Sequence, residues 1–166
     1  MEDPFRPADV SLVFPPHPVW VRTARETVRT LLRVTDRAEL IDTAALLTSE
    51  AVTNAINACA TTKRAAPVTL HAGWRTPRRL RVVIQDEAPG LPTCRTPGAE
   101  EENGRGMQLI SYGADAWGVC THGPVRGKLT WFELGGTIYP DGSDTPWGDV
   151  CVDVRPRHGW EAYSES

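Results

Sequence analysis

Glu50, Asn54 and Asn57 recur at helical spacing in the segment SEAVTNAINA, within an arc of about 60° at 100° per residue, and Thr43 and Thr61 continue the strip. The opposite side of the same segment is Ile41, Ala44, Ala45, Val52, Ala55, Ile56 and Cys59, flanked by Leu40, Leu47, Ala51 and Ala58, so little of this helix is free to face bulk water. A carboxylate and a carboxamide one turn apart are suited to holding a divalent cation and polarising a hydroxyl or a water. The plain alternative is that the strip is the solvated side of the helix.

Asp86 is a second chemically loaded position. It shares strand parity with Leu80, Val82 and Ile84, so its carboxylate emerges from an apolar, core-facing side. A buried acid needs a donor, either an exocyclic amine on a ligand or a backbone N–H of the loop that follows. A third feature is Gly104-Arg105-Gly106-Met107, glycines at the start of a helix, where free N–H groups and the positive dipole end favour phosphate. It lacks the third glycine of a dinucleotide fingerprint and follows an acidic loop rather than a strand. Residues 123–129 mimic a phosphate-binding loop but are one residue short, with Leu129 where a hydroxyl is needed. Cys120 and His122 have no second pair of ligands beside them, which argues against a metal centre.

Positioning these groups requires several elements. Ser11 to Phe14 reads as a short strand, followed by an amphipathic helix from about Pro18 to Val34 with an apolar set of Trp20, Ala24, Val28, Leu31 and Leu32. Arg22, Arg25, Arg29 and Arg33 line its other side. A second helix is expected from Asp36, where Asp36 and Glu39 match a capping box, to about Cys59 or Ala60. Strands over Val68–Trp74 and Leu80–Asp86 flank a turn whose arginines read as loop solubility. Residues 87–103 read as a long acidic loop, with 91–103 a lid, and Asn103 caps a third helix with Met107, Ile110, Ala114 and Trp117 inward. Strands at about Trp117–Thr121 and Lys128–Leu134 complete an α+β, two-layer α/β sandwich: a mixed, mostly antiparallel sheet with helices on one face.

The chain has 166 residues, 40% hydrophobic and 23% charged, enough for one domain (1–134) with a Gly/Pro-rich extension (135–166) in which 149–154 can add a strand. A net charge of -3 gives no global positive field for nucleic acid or anionic lipid. The acidic, proline-broken start and the lack of a long apolar run point to a cytoplasmic protein without a membrane span. In that reducing compartment Cys59, Cys94, Cys120 and Cys151 are expected to be thiols.

Taken in order, SEAVTNAINA, VVIQDEAPGLP, ENGRGMQLI and GKLTWFEL resemble the Bergerat-type (GHKL) ATPase superfamily of gyrase, heat-shock chaperone, histidine-kinase and mismatch-repair ATPases. Within it they are most similar to the small anti-sigma-factor serine/threonine kinases and the stand-alone ATP-binding regulators of high-GC bacteria, over about residues 11–134. The resemblance implies the Bergerat fold, ATP and Mg2+ as cofactors, Glu50 as general base, Asn54 as a magnesium ligand and Asp86 as acceptor of the adenine amine. It also implies Gly90 as the loop glycine beside the base, and Gly104, Arg105, Gly106 and Met107 as the phosphate cradle. A homodimer acting on a sigma factor or an anti-sigma antagonist protein follows from the same likeness, with a non-catalytic, partner-sequestering module as the alternative. Three positions depart from the pattern. Ala88 replaces a usual glycine, and Asn57 a commonly basic residue. Lys128 or Leu129 holds the expected threonine position, with Thr130 one residue off and, by parity, on the opposite face unless the strand is bulged.

Overall fold

A computed structural model describes residues 9–63, 65–89, 105–121 and 127–135. Gly90, Gly104, the segment expected to form a lid, the Asn103 cap, and the extension from 136 onward lie outside the described residues. The elements run β1 (Val10–Phe14), α1 (Trp20–Val34), a single 3-10 turn (Ala38–Leu40), α2 (Ile41–Thr61), β2 (Val68–Thr76), β3 (Arg79–Asp86), α3 (Arg105–Gly113), β4 (Ala116–Cys120) and β5 (Lys128–Leu134). The strands form one sheet in the order β1-β2-β3-β5-β4, and every pairing is antiparallel, so the fold is α+β as expected.

The core is built as the residue patterns require. Ala24, Val28, Leu31 and Leu32 of α1 and Ala44, Leu47, Ala51, Val52, Ala55, Ile56 and Cys59 of α2 pack with Leu80, Val82 and Ile84 of β3, Phe132 of β5, and Met107 and Ile110 of α3. Phe14 stacks on Trp20 with ring centroids 5.8 Å apart, fixing where β1 hands over to α1. Because α2 is apolar around most of its circumference, it lies at the centre of the helical layer, against α1, α3 and the sheet.

Three local expectations are corrected. The capping box at Asp36 does not form: Asp36 takes a left-handed φ of 55°, Arg37 pairs with Glu39 at 2.6 Å, and α2 begins only at Ile41 after the 3-10 turn. A residue ending one helix in that conformation cannot also supply the extended backbone of an N-cap to the next. The hairpin arginines are not merely solubilising. Arg75 and Arg79, together with Arg81, converge on the Glu133 carboxylate, which is 1% exposed, with Arg75 Nη1 at 3.0 Å and Arg81 Nη2 at 2.6 Å. Arg81 also lies over the Trp131 ring at 4.6 Å, so the second face of the sheet carries its own ionic and aromatic packing beside Val83, Ala116 and Cys120. Finally, Cys120 is disulfide-bonded, not a thiol, whereas Cys59 is a free, buried thiol.

Among the described residues no helix is long and apolar enough to cross a membrane.

Candidate functional site

The polar strip of α2 divides by depth. Thr43, Asn57 and Thr61 are exposed, whereas Glu50 and Asn54 are partly covered because the start of α3 crosses them. The contact is through Gly106. A Cβ there would lie 2.8 Å from Glu50 Oε2 and 3.1 and 3.2 Å from Asn54 Nδ2 and Oδ1, so any larger residue would push the ends of these two side chains aside. Arg105, the first residue of α3, is exposed, while the Met107 side chain joins the main core and leaves only its backbone to a ligand.

Glu50 has no hydrogen bond or ion pair among the described residues, and burial pushes its carboxyl above the usual range. The Asn54 Nδ2 is buried and has no partner among the described residues. A half-buried carboxylate and a buried amide beside the start of a helix, where the first N–H groups have no intrahelical acceptor, form an arrangement suited to a ligand that carries both a cation and phosphate. Asn54 would be the residue to offer an oxygen to a divalent cation, a hard ion that takes oxygen ligands. Among the described residues no cluster of three or more His, Cys, Asp or Glu side chains could hold a metal ion by itself.

Asp86 lies at the end of β3 and is 1% exposed, as its strand parity requires. Asp86 finds one donor in the following loop, one of the two alternatives drawn from the sequence, and another in a lysine side chain that was not among them. Its Oδ1 accepts from the Ala88 backbone N–H at 3.0 Å and from Lys128 Nζ at 2.9 Å. Burial pushes the Asp86 carboxyl up, and the Lys128 and Ala88 hydrogen bonds oppose it. Lys128 is paired directly across the sheet from Asp86, and Thr130 from Ile84, in unbroken register. Thr130 therefore shares the face of Asp86 and Lys128 and is not on the opposite one, and Leu129 is turned away. The structure thus gives Lys128 the place opposite the acid. Its role was missed although a signal existed: Lys128, Thr130, Phe132 and Leu134 share parity, so the lysine had to enter the helix-facing side.

Gly127 makes this pairing achievable. It has φ of +87°, and a Cβ on it would fall 1.9 Å from the Asp86 carbonyl oxygen. Cys59 of α2 borders the same corner, its thiol pushed up by burial and by the Asp86 charge. From Cys59 to Glu50 the helix rises about 13 Å at 1.5 Å per residue, a length that suits an extended ligand with a base at one end and phosphates at the other.

A family model described as a histidine kinase-like ATPase domain matches residues 14–130, a span that contains every residue of this site. Among curated proteins no match is found.

Proposed function

Because the chain belongs to the histidine kinase-like ATPase domain family, which implies ATP as its nucleotide, we propose that it is an ATP- and Mg2+-dependent serine/threonine protein kinase of the anti-sigma-factor type. It would act in the cytoplasm, as a homodimer, on a sigma factor or an anti-sigma antagonist protein. The observation that carries the reading is Glu50: a carboxylate without a partner among the described residues, its pKa raised by burial, one turn from Asn54 and against the glycine-started α3. A carboxylate made more basic by burial is a better acceptor for the proton of an alcohol.

In this reading Asp86 Oδ2, which takes neither of the carboxylate's hydrogen bonds, accepts from the adenine amine. The N–H groups at the start of α3 would hold phosphate, and Asn54 would hold Mg2+ through its oxygen, the ion supplying neutralisation of phosphate charge. Glu50 accepts the hydroxyl proton of the incoming serine or threonine as its oxygen bonds to the γ-phosphorus. The bond from that phosphorus to the bridging oxygen breaks, and ADP leaves with the electron pair.

Calorimetry with ATP, ADP and GTP in magnesium tests the nucleotide. GTP is expected to bind poorly, because it presents a carbonyl oxygen where Asp86 needs a donor. Recovery of bound partner proteins followed by phosphoserine and phosphothreonine mapping then tests transfer. Glu50→Ala is expected to abolish transfer while leaving ATP affinity within about 1 kcal/mol, since the carboxylate acts chiefly in the transition state. Transfer at the parental rate in that variant refutes the base assignment. The exposed Asn57, at a position commonly basic in the family, favours a second reading in which ATP controls partner sequestration without transfer. Partner release on nucleotide exchange with no phosphorylated residue establishes that one instead.

A further inference from the structure

Lys128 is one of only two lysines in the chain, and its side chain is 4% exposed. An ammonium has three donors. One goes to Asp86 Oδ1 at 2.9 Å, a second reaches the Ala88 carbonyl at the 3.5 Å limit, and the third finds no acceptor among the described residues. Both hydrogen bonds of Asp86 fall on Oδ1. The end of the sheet thus presents, side by side and almost without solvent, a carboxylate oxygen and an N–H that no described residue uses.

Buried polar valences of this kind call for partners, and an ion pair kept only for stability would be matched or bettered by two apolar side chains. The pair is also held in place on both sides: the Ala88 N–H anchors Oδ1, and the tight approach of Gly127 to the Asp86 backbone starts β5 where Lys128 must face the acid. A neighbouring acceptor and donor on the protein complement a ligand edge that carries an amine next to a ring nitrogen. In adenine that edge is the 6-amino group beside N1.

We propose that Lys128 is a specificity-determining residue of the nucleotide site, donating to adenine N1 while Asp86 accepts from the adjacent amine. This deepens, and rests on, the adenine-nucleotide reading above.

The test uses ATP and 1-deaza-ATP, in which N1 becomes C–H and the amine is kept, titrated calorimetrically into the full chain in magnesium. The parent is expected to bind ATP about tenfold or more tightly than the analogue, the range for a hydrogen bond to a charged group. In Lys128→Met that ratio is expected to collapse to within about twofold, whatever common loss both ligands suffer through Asp86. Should Lys128→Met fail to fold, Lys128→Gln, which leaves a neutral donor for Asp86, carries the same comparison, and its ratio must fall below the parental one. Equal binding of the two nucleotides to the parent overturns the proposal, as does a parental ratio that the Lys128 variants leave unchanged. Failure of the parent to bind either nucleotide removes the adenine reading itself, an outcome distinct from equal binding of both.

Discussion

The Asp86–Lys128 pair makes a stability prediction that can be worked from its burial. With the acid 1% exposed and the ammonium 4%, neither partner can recover hydration if the other is removed. Asp86→Asn leaves Lys128 facing a neutral amide, and Lys128→Met leaves the carboxylate with only the Ala88 N–H. Each is expected to cost about 3–5 kcal/mol, the usual result of breaking a buried pair from one side. The double variant Asp86→Asn/Lys128→Met buries no charge and is expected within about 2 kcal/mol of the parent, so the two substitutions are strongly non-additive. The pH dependence has a definite sign. Burial already holds the Asp86 pKa above 3.8, with Lys128 opposing that rise, and without the lysine it goes higher. An acid whose folded pKa is raised contributes stability that is fully present below its unfolded pKa and is lost as pH rises through the folded value. Lys128→Met should therefore lose stability steeply as pH rises, and the double variant should not share that loss. Urea unfolding of all four proteins between roughly pH 4 and 8 measures both effects. Single costs that add to the double within about 0.5 kcal/mol, or a flat profile for Lys128→Met, would refute the reasoning.

Gly106→Ala keeps a good helix former in α3 but places a methyl 2.8 Å from Glu50 Oε2, so it is expected to leave thermal unfolding almost unchanged while weakening ATP binding about tenfold or more, read by calorimetry. Gly127→Ala, by contrast, meets a backbone oxygen at 1.9 Å from a φ of +87°, and should destabilise the fold by about 2–5 kcal/mol in urea titration. Burial raises the Glu50 pKa above 4.5, so its contribution to stability declines as pH rises through that raised value. Glu50→Gln removes the decline and should unfold at a progressively higher temperature than the parent as pH increases; a constant difference in Tm across that range counts against a desolvated Glu50.

Much of this protein was legible in its residues. Periodicity placed α1, α2, α3 and all five strands, because the main core is shared by elements whose apolar faces repeat at the helical or the strand period. The strand parity of Leu80, Val82, Ile84 and Asp86 foretold a carboxylate in an apolar setting, and four ordered motifs pointed to the family. The start of α2 was misplaced because a capping box is a local pattern, whereas the path from α1 to α2 is set by how both helices meet the sheet.

The order of side chains along each segment sets the elements and the face each must bury. Which groups meet depends on how those elements are assembled. Glu50 and Asn54 lie under Gly106 from a helix some fifty residues later, Lys128 finds Asp86 across forty-two residues, and three arginines gather on Glu133. Such encounters depend on strand order and register, and a shift of one residue along β5 would have carried Lys128 to the other face of the sheet, because side chains alternate with period two.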